Sequence, residues 1–403
     1  MPSRIYLDNN ATTRPLPEVV DVMSRHFLES YGNPGSRHAE GRTARQPLEE
    51  ARESIADILG ADPKEVIFTS GGTEATNLAI FGCTNCEPGV ILLTAGEHPA
   101  TTESCDVLKQ RGWRLQKLDV DFDGLLRSAQ YDDLPWPVGE PDGVSPRSSP
   151  VAHAPGSPVD DESVKLVTVI LAHNETGVIQ DLTPLAEKCR EHNVWLHVDA
   201  VQAVGKIPVD FHALGATSLA LGAHKFHGPR GIGALLLRQD ATLSPYLFGG
   251  HQESGRRPGT EPVALAVGMA KALENWNANR DERTAAIRAL RDRLQSRLEE
   301  HCAPTVVNGS REHRLPNTLN IAFTGLPGEA LLINLDLEGI ACSLGSTCAS
   351  GSSEPAPSLV AMGCPREVYE SSVRFSVSVA NTPEEIDEAV QRIADVVRRL
   401  RKG

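Results

Sequence analysis

Apolar and polar positions alternate in two ways along this chain. Short apolar or β-branched runs, which predict strands, occupy residues 65–69, 90–94, 114–118, 165–171, 194–198, 218–221 and 232–237. Most of these runs are separated by stretches long enough for helices, and residues 16–31 and 43–60 carry apolar side chains at helical spacing. Strands that alternate with helices and are apolar on both faces are typical of a largely parallel sheet with helices on each side. The first half therefore predicts an α/β fold.

The pattern changes after about residue 255. One long helix is predicted from Pro262 to His301, followed by strands at Val306-Val307 and from Thr318 to Phe323. A last helix is predicted to begin after Thr382, because Thr382-Pro383-Glu384-Glu385 forms a capping box ahead of an apolar stripe. This half predicts a smaller α+β unit.

Two domains are the natural division of a chain of this length. We predict a large domain over residues 16–260, and a small domain built from residues 1–15 together with 261–403. Within the large domain, residues 131–160 are rich in proline, serine and glycine, which suit neither a helix nor a strand. This segment is predicted to be an exposed, mobile surface insertion, and a regulatory or partner-binding role is the alternative.

Composition narrows the class of protein. Of the 403 residues, 40% are hydrophobic and 23% charged, as in ordinary globular proteins. The net charge of −14 argues against nucleic acid as a partner, since phosphates would repel it. No membrane-spanning run or signal peptide is recognised, so a cytoplasmic protein without a membrane partner is predicted. The isolated Cys83 and Cys86 lack the second ligand pair that a zinc site needs, and no resident metal is predicted.

One lysine and one aspartate stand out because each follows an apolar run. Lys225 lies in Gly222-Ala223-His224-Lys225, just after a predicted strand, and Asp199 ends the run Trp195-Leu196-His197-Val198. In an α/β fold both would lie at the carboxyl edge of the sheet, where ligands bind. Pyridoxal phosphate requires a lysine that forms a Schiff base and an acid that pairs with its pyridine nitrogen. The order and spacing of the two residues predict a site for this cofactor.

Other polar residues are predicted at the same edge. Ser70-Gly71-Gly72-Thr73 joins a strand to a helix, and its free N–H groups suit a phosphate, although a plain turn is the common alternative. His98 follows a predicted strand and could stack on a cofactor ring and move protons, or could be a solvated loop histidine. Asn174 follows the next strongly apolar strand and could reach the same crevice.

Two residues of the second half also carry chemistry. Cys348 stands among small residues in Gly345-Ser346-Thr347-Cys348-Ala349-Ser350-Gly351, a composition typical of an exposed, mobile loop with a reactive thiol. Arg374 interrupts the apolar run Val373-Arg374-Phe375, where a buried arginine needs an anionic partner. A substrate carboxylate and a structural ion pair both fit that position.

Together these motifs resemble those of cysteine desulfurases of the NifS/IscS-like kind, which are fold-type I, class V enzymes that use pyridoxal phosphate. The resemblance covers nearly the whole chain. Its motifs are Asp8-Asn9-Asn10-Ala11-Thr12-Thr13, Thr73, His98, Asn174-Glu175, Asp199, Gln202, His224-Lys225, Arg257-Pro258-Gly259-Thr260, the Cys348 loop and Arg374. It implies a large domain with a mostly parallel seven-stranded sheet covered by helices, and a smaller α+β domain that bears the cysteine loop.

The resemblance also implies roles for single residues. Lys225 would be the Schiff-base lysine, Asp199 the partner of the pyridine nitrogen, and Gln202 the partner of the ring hydroxyl. His98 would stack over the ring and move protons, and Cys348 would accept the sulfur. Gly72, Thr73 and His224 would bind the phosphate, and Thr260 would bind the phosphate of a neighbouring subunit. Asn174 would contact the cofactor. Asn174 and Arg374 would bind the substrate carboxylate.

The activity implied is removal of sulfur from L-cysteine, which leaves L-alanine and a persulfide on Cys348. The sulfur would then pass to an acceptor protein such as an iron–sulfur scaffold, and Cys348 could transiently ligate a transferred cluster. Thr260 implies a homodimer. A selenocysteine lyase or another class V aminotransferase is the alternative. A non-catalytic sulfur-transfer scaffold is disfavoured, because it would not need Lys225, Asp199 and His98 together.

Two positions depart from the family pattern. Gly222 stands three positions before Lys225, where many relatives carry a serine that holds the phosphate. Loss of that hydroxyl is expected to cost about 0.5–1.5 kcal/mol. Ser378 stands where relatives tend to have glycine, and the 131–160 insertion is also atypical.

Overall fold

A computed structural model describes residues 3–137, 162–344 and 356–402. The strands are β1 Ile5–Tyr6, β2 Val66–Thr69, β3 Val90–Thr94, β4 Arg114–Leu118, β5 Val164–Ile170, β6 Trp195–Asp199, β7 Ser218–Gly222, β8 Gly233–Leu237, β9 Val306–Val307, β10 Thr318–Ala322, β11 Ile340–Ala341 and β12 Ser372–Ser376. The helices are α1 Pro17–Glu29, α2 Ala39–Ile58, α3 Gly72–Cys83, α4 Pro99–Gln110, α5 Thr183–Glu191, α6 Val263–Ala278, α7 Arg280–His301, α8 Gly328–Leu337, α9 Pro357–Ala361, α10 Arg366–Tyr369 and α11 Pro383–Leu400.

The central sheet has seven strands in the order β2-β8-β7-β6-β5-β3-β4. β8 runs antiparallel to its neighbours β2 and β7, and the other neighbouring pairs are parallel. The predicted mostly parallel, seven-stranded α/β sheet is thereby confirmed. Asp199 of β6 pairs in register with Ala220 of β7, so the residues that follow these two strands emerge side by side at one edge.

Helices cover both faces of this sheet. Val167 and Val169 of β5 point into a core shared with α1, α2 and α6, whereas Leu166 packs on the opposite face with α3 and α4. This alternation explains why most residues of β5 are apolar, since both faces of the strand are covered. Each such aliphatic side chain contributes about 1.5–3 kcal/mol when fully buried. Among the described helices, none is long and apolar enough to cross a membrane.

A second core lies around the three-stranded antiparallel sheet β12-β10-β9. Helices α7, α8 and α11 pack on it, and Ile5 and Leu7 from the beginning of the chain join the same cluster. The Thr382–Glu385 capping box is present at the start of α11. These contacts agree with a small α+β unit that combines both ends of the chain, and its predicted boundaries stay a prediction.

The region from 262 to 301 differs from the single helix that the sequence predicted. Asn279, with φ −136° and ψ 33°, leaves the helical conformation and separates α6 from α7. The two helices serve different cores: Met269 and Leu273 of α6 belong to the large cluster, and Leu294 of α7 belongs to the small one. The helix is therefore interrupted at the point where the buried side chains change from the large core to the small core.

The predicted insertion begins in a packed conformation. Tyr131 and Leu134 are buried in the main core, and the indole Nε1 of Trp136 donates a hydrogen bond to the Tyr131 carbonyl at 2.7 Å. Trp136 also stacks on His192, with ring centroids 5.3 Å apart. Residues 131–137 are thus part of the folded body, contrary to the exposed loop predicted there, because aromatic and leucine side chains anchor them. Residues 138–160 lie outside the described residues.

Candidate active site

Lys225 ends the short turn that follows β7 at the carboxyl edge of the sheet. Its Nζ donates hydrogen bonds to the main-chain oxygens of Asn10, at 2.7 Å, and Ala11, at 2.9 Å. Burial, and next the charge of Arg374, lower the pKa of Lys225 from 10.5 to about 8. A larger fraction of this amine is therefore neutral near pH 7 than of an exposed lysine, which suits a nucleophile or base.

Asp199 lies at the end of the adjacent strand β6 and is buried. Its Oδ1 accepts the main-chain N–H of Val201 at 2.9 Å. Within the described part of the chain, no basic side chain lies at ion-pair distance from this carboxylate. Burial raises the pKa of Asp199, while His98 and Lys225 oppose the shift electrostatically. A buried acid of this kind is suited to a cationic partner supplied from outside the chain.

His98 lies at the start of α4, directly after the turn that follows β3. Its Nδ1 accepts the main-chain N–H of Ala100 at 3.1 Å, so the proton of the neutral ring sits on Nε2. Burial lowers the pKa of His98, and Asp199 partly offsets this effect. The residue predicted as a possible loop histidine is therefore the N-cap of a helix at the same edge as Lys225 and Asp199.

The glycine turn before α3 leaves a shallow cradle. A side chain on Gly72 would collide with Val201, because a Cβ would lie 2.5 Å from its Cγ2. A Cβ on Gly222 would lie 3.3 Å from the Gly72 nitrogen, whereas a Cβ on Gly71 would meet no atom within 4 Å. The space beside Gly71 is therefore open at the start of α3, and Thr73 follows in the first turn. This geometry suits a phosphate.

His224 lies beside this cradle and is uncharged at neutral pH. Burial, and next the charge of Lys225, lower the pKa of His224 to about 4. Its Nδ1 lies 3.1 Å from the Thr12 hydroxyl. A neutral ring whose other nitrogen carries a proton can donate one hydrogen bond to an anion.

Asn10 connects several of these residues. Its carbonyl oxygen accepts hydrogen bonds from Gln202 Nε2, at 2.8 Å, and from Lys225 Nζ. Its Oδ1 accepts from Lys206 Nζ at 3.0 Å, and Lys206 also donates to Gln202 Oε1. Sequence reasoning gave no role to Asn10 or Lys206. The signals in the sequence were the place of Asn10 in the motif Asp8–Thr13 and, for Lys206, a lysine in the apolar stretch Ala203-Val204-Gly205-Lys206-Ile207.

Arg374 projects from β12 of the smaller unit and is buried. Its Nη2 forms an ion pair with Asp8 at 2.7 Å, and its Nη1 donates to the Asn174 carbonyl at 3.1 Å. Its Nε has no hydrogen-bond partner among the described residues. The guanidinium thus forms the structural ion pair that was one of the two predicted alternatives, and it also retains an unused donor. Asp8 belongs to the motif Asp8–Thr13 named in the sequence analysis, but no role was assigned to it there.

Two buried glutamates lie at the same edge of the sheet. Glu97 Oε1 accepts the main-chain N–H of Ile170 at 2.8 Å, and burial raises the pKa of Glu97 to about 8. Glu175 accepts a hydrogen bond from the Ser358 hydroxyl, and burial raises the pKa of Glu175 to about 7. Both are suited to the protonated form near neutral pH, which limits the negative charge behind the site.

Two predicted site residues stand apart from this cluster. Thr260 is exposed on the segment before α6, which is tied to α3 by an Arg257–Glu74 ion pair at 2.7 Å. Cys348 lies outside the described residues. Its described flanks contact the site: the Ser343 carbonyl accepts the main-chain N–H of Arg374, at 2.6 Å, and Ser358 binds Glu175.

Comparison with known proteins places this geometry in context. The aminotransferase class-V family model matches residues 5–136 and 159–389. A cysteine desulfurase of Enterobacter agglomerans is 40% identical over 400 residues, covering 98% of this chain and 93% of that protein. The cysteine desulfurase NifS of Azotobacter vinelandii is 38% identical with the same coverage. A solved structure of a NifS-like protein superposes with a TM-score of 0.86 at 31% identity, covering 98% of this chain and all of that one.

Proposed function

The chain belongs to the aminotransferase class-V family and is a cysteine desulfurase, and from that premise we propose that pyridoxal phosphate binds at Lys225 and L-cysteine loses its sulfur there. The resemblance to NifS/IscS-like enzymes seen in the sequence motifs is confirmed at 38–40% identity over 98% of the chain. The observation that most supports the proposal is the pairing of a half-buried lysine just after β7 with a buried aspartate at the end of the adjacent strand β6.

The residues around Lys225 fit this cofactor. Asp199 is a buried acid without a basic neighbour at ion-pair distance in the described chain, and a protonated pyridine nitrogen is the partner it lacks. The glycine turn at Gly72 and Thr73, with neutral His224 beside it, would hold the phosphate. Gln202 would bind the ring hydroxyl, and His98 would stack over the ring. Asn174 would contact the cofactor from the strand end after β5.

Substrate binding and proton transfer fall to the chain's own groups. Arg374 would hold the substrate carboxylate, since its Nε is an unused buried donor and the Asn174 backbone orients its guanidinium. Lys225 Nζ would remove the α-proton, which its lowered pKa favours. Bound pyridoxal phosphate supplies the electron sink that makes this proton acidic. His98 begins with its proton on Nε2 and would exchange protons through that nitrogen.

Cys348 would accept the sulfur as a thiolate. An S–S bond forms as the substrate C–S bond breaks, and the electron pair of the broken bond remains with the substrate carbon. A proton added there completes the methyl group of alanine. The flanks of the Cys348 segment, which contact Arg374 and Glu175, support this assignment.

The same proposal implies an acceptor protein, a second subunit and a cellular location. The persulfide would pass to an acceptor protein such as an iron–sulfur scaffold, with Cys348 open to a transferred cluster. Thr260 would reach the phosphate of a second subunit in a homodimer. The cytoplasm is the proposed location, because Cys348 must begin as a free thiol and thiols stay reduced in that compartment.

Mass spectrometry after incubation with L-cysteine tests this function. We expect alanine in solution and one added sulfur on the peptide that contains Cys348. The Cys348→Ala variant should retain the bound cofactor but form neither the persulfide nor sulfide. The matched Cys86→Ala variant, which removes an exposed cysteine elsewhere, should behave as the wild type.

Two results would contradict the proposal. Sulfide release by Cys348→Ala at the wild-type rate would remove Cys348 from the reaction. Amino transfer to an added keto acid, without loss of sulfur, would identify an aminotransferase instead.

A further inference from the structure

Lys206 is a buried lysine for which the reaction as proposed has no use. Only 8% of its surface is exposed, and within the described residues no carboxylate lies at ion-pair distance from its Nζ. Burial, followed by the charges of Lys225 and Arg374, lowers the pKa of Lys206 well below its ordinary value. Burying an amine without an acidic partner costs stability, so the contacts that it makes invite a functional explanation.

Those contacts are with two side-chain amides. Lys206 Nζ donates to Asn10 Oδ1, at 3.0 Å, and to Gln202 Oε1. Because an amide has one oxygen end and one nitrogen end, holding the oxygen fixes where the N–H groups point. Gln202 Nε2 accordingly donates to the Asn10 carbonyl, at 2.8 Å. Asn10 Nδ2 donates to Thr318 Oγ1, at 2.9 Å.

The oriented amide of Gln202 and the amine of Lys225 share one hydrogen-bond acceptor. The Asn10 carbonyl accepts both Gln202 Nε2 and Lys225 Nζ, the latter at 2.7 Å. Gln202 therefore presents N–H, not C=O, on the side where Lys225 lies. Lys206 fixes this orientation together with the Asn10 carbonyl, because Lys206 holds the oxygen end of the Gln202 amide while the carbonyl accepts its nitrogen end.

We propose that Lys206 is a positioning residue that holds Gln202 with its N–H toward the Lys225 side, so that Gln202 donates to the ring oxygen of the bound cofactor. This inference rests on the proposed function. A donated hydrogen bond stabilises that oxygen as an anion, and this lowers the pH at which the cofactor–lysine nitrogen loses its proton.

The electrostatic surroundings on which this pH depends include more than Lys206. The charged or titratable groups that face Lys206 and Lys225 are Asp8, His98, Asp199, His224, His227 and Arg374. They are the same in wild type and in a Lys206 variant. A difference between the two pH profiles therefore reports on Lys206.

The test is the pH midpoint of the visible absorption change of the cofactor-loaded protein. Lys206→Met, which keeps the length of the side chain but removes its donor, should raise the midpoint by about one pH unit. Lys271→Met, at a half-exposed lysine on α6, is the matched control and should leave it unchanged. A double-mutant cycle with Gln202→Leu identifies the path, because Lys206→Met should shift the midpoint little once Gln202 is gone.

The outcomes separate this inference from the proposed function. If the wild type binds pyridoxal phosphate and Lys206→Met has the wild-type midpoint, the positioning role is wrong. It is equally wrong if the shift persists in full in the Gln202→Leu background. If the wild type shows no visible absorption band after addition of pyridoxal phosphate, the proposed function itself is wrong. Gln202→Leu alone provides the same readout should Lys206→Met not fold, and a wild-type midpoint there would also overturn the proposal.

Discussion

The charged side chains of the site are held largely by main-chain groups. Lys225 is bound by two carbonyl oxygens, and Asp199 accepts one main-chain N–H. Arg374 has Asp8 as an ion-pair partner, yet its Nε remains unused among the described residues. Main-chain dipoles orient a charge without neutralising it, so each group keeps its capacity to bind an ionic ligand. The single residues are therefore arranged for partners that arrive with cofactor and substrate.

Replacing Arg374 tests substrate binding. For Arg374→Gln we expect kcat/KM for L-cysteine to fall about 10- to 150-fold, the equivalent of losing a charge-assisted hydrogen bond of ~1.5–3 kcal/mol. Steady-state alanine formation measures it. Arg366→Gln, in an exposed ion pair with Glu370, is the control and should have wild-type kinetics. Equal kinetics in the two variants would exclude Arg374 from the substrate site.

The lowered pKa of Lys225 makes the stability of the cofactor-free protein depend on pH. Between about 8 and 10.5 the unfolded chain binds this proton and the folded protein does not, so stability rises with pH across that window. Lys225→Met removes this partly desolvated charge. Its Tm should exceed that of the wild type by more at about pH 7 than at about pH 9.5. Calorimetry of both proteins checks this, and a gap that is constant with pH would contradict the lowered pKa.

At the scale of elements, the ends of strands and the starts of helices create the site. β6 and β7 deliver Asp199 and Lys225 side by side, while α3 and α4 begin at Gly72 and directly after His98. Parallel neighbours make this possible, since their carboxyl ends share one edge of the sheet. Helix starts add unpaired N–H groups and a positive dipole at the same edge. The elements thus combine an anion cradle with the reactive lysine.

Gly222 links strand β7 to that cradle, and its replacement tests the contact. A serine Cβ would lie 3.3 Å from the Gly72 nitrogen, which neighbours can accommodate by a small shift. If the added hydroxyl reaches the phosphate, Gly222→Ser should bind pyridoxal phosphate about 2- to 12-fold more tightly, equal to ~0.5–1.5 kcal/mol. Gly222→Ala adds the Cβ without the hydroxyl and is the matched control. Equal affinities for Ser and Ala in equilibrium titration would rule out a hydroxyl contact.

At the scale of the whole molecule, two hydrophobic cores meet around the site. Arg374 comes from the sheet of the small unit, whereas Lys225 and Asp199 come from the large sheet. The hydrogen bond from Arg374 to the Asn174 carbonyl crosses between them. The surface also bears large exposed apolar side chains, among them Phe248, 88% exposed, and Tyr31. Phe248 lies in the same connection between β8 and α6 as Thr260, the residue proposed to reach a second subunit.

The proposed role of Thr260 predicts the oligomeric state. We expect the protein to sediment at twice its chain mass of 43.4 kDa, and Phe248→Ser to shift the equilibrium toward the monomer because apolar contact area is lost. Analytical ultracentrifugation over a dilution series measures this. Ile333→Ser, at an exposed position on α8, is the control. A wild type that sediments as a monomer at all concentrations would contradict the homodimer and the proposed role of Thr260.

The sequence by itself was sufficient to predict the sheet, most strand positions and the cap of α11. These features depend on apolar periodicity and on side chains only a few residues apart, such as Thr382 and Glu385. Lys225, Asp199 and Gly72 could be selected because each lies at a strand or helix end. The break at Asn279 was missed, because the helical pattern continues through it and only the change of core requires the break.

Only the tertiary structure determined which residues from distant parts of the sequence contact the site. The ion pair of Arg374 with Asp8 joins residues 366 positions apart, and the contact of Lys206 with Asn10 joins residues 196 apart. No local pattern encodes such partners, because they depend on how two cores and the beginning of the chain come together. The pKa values of Lys225, His224 and Glu175 follow from burial, which exists only once the chain has folded.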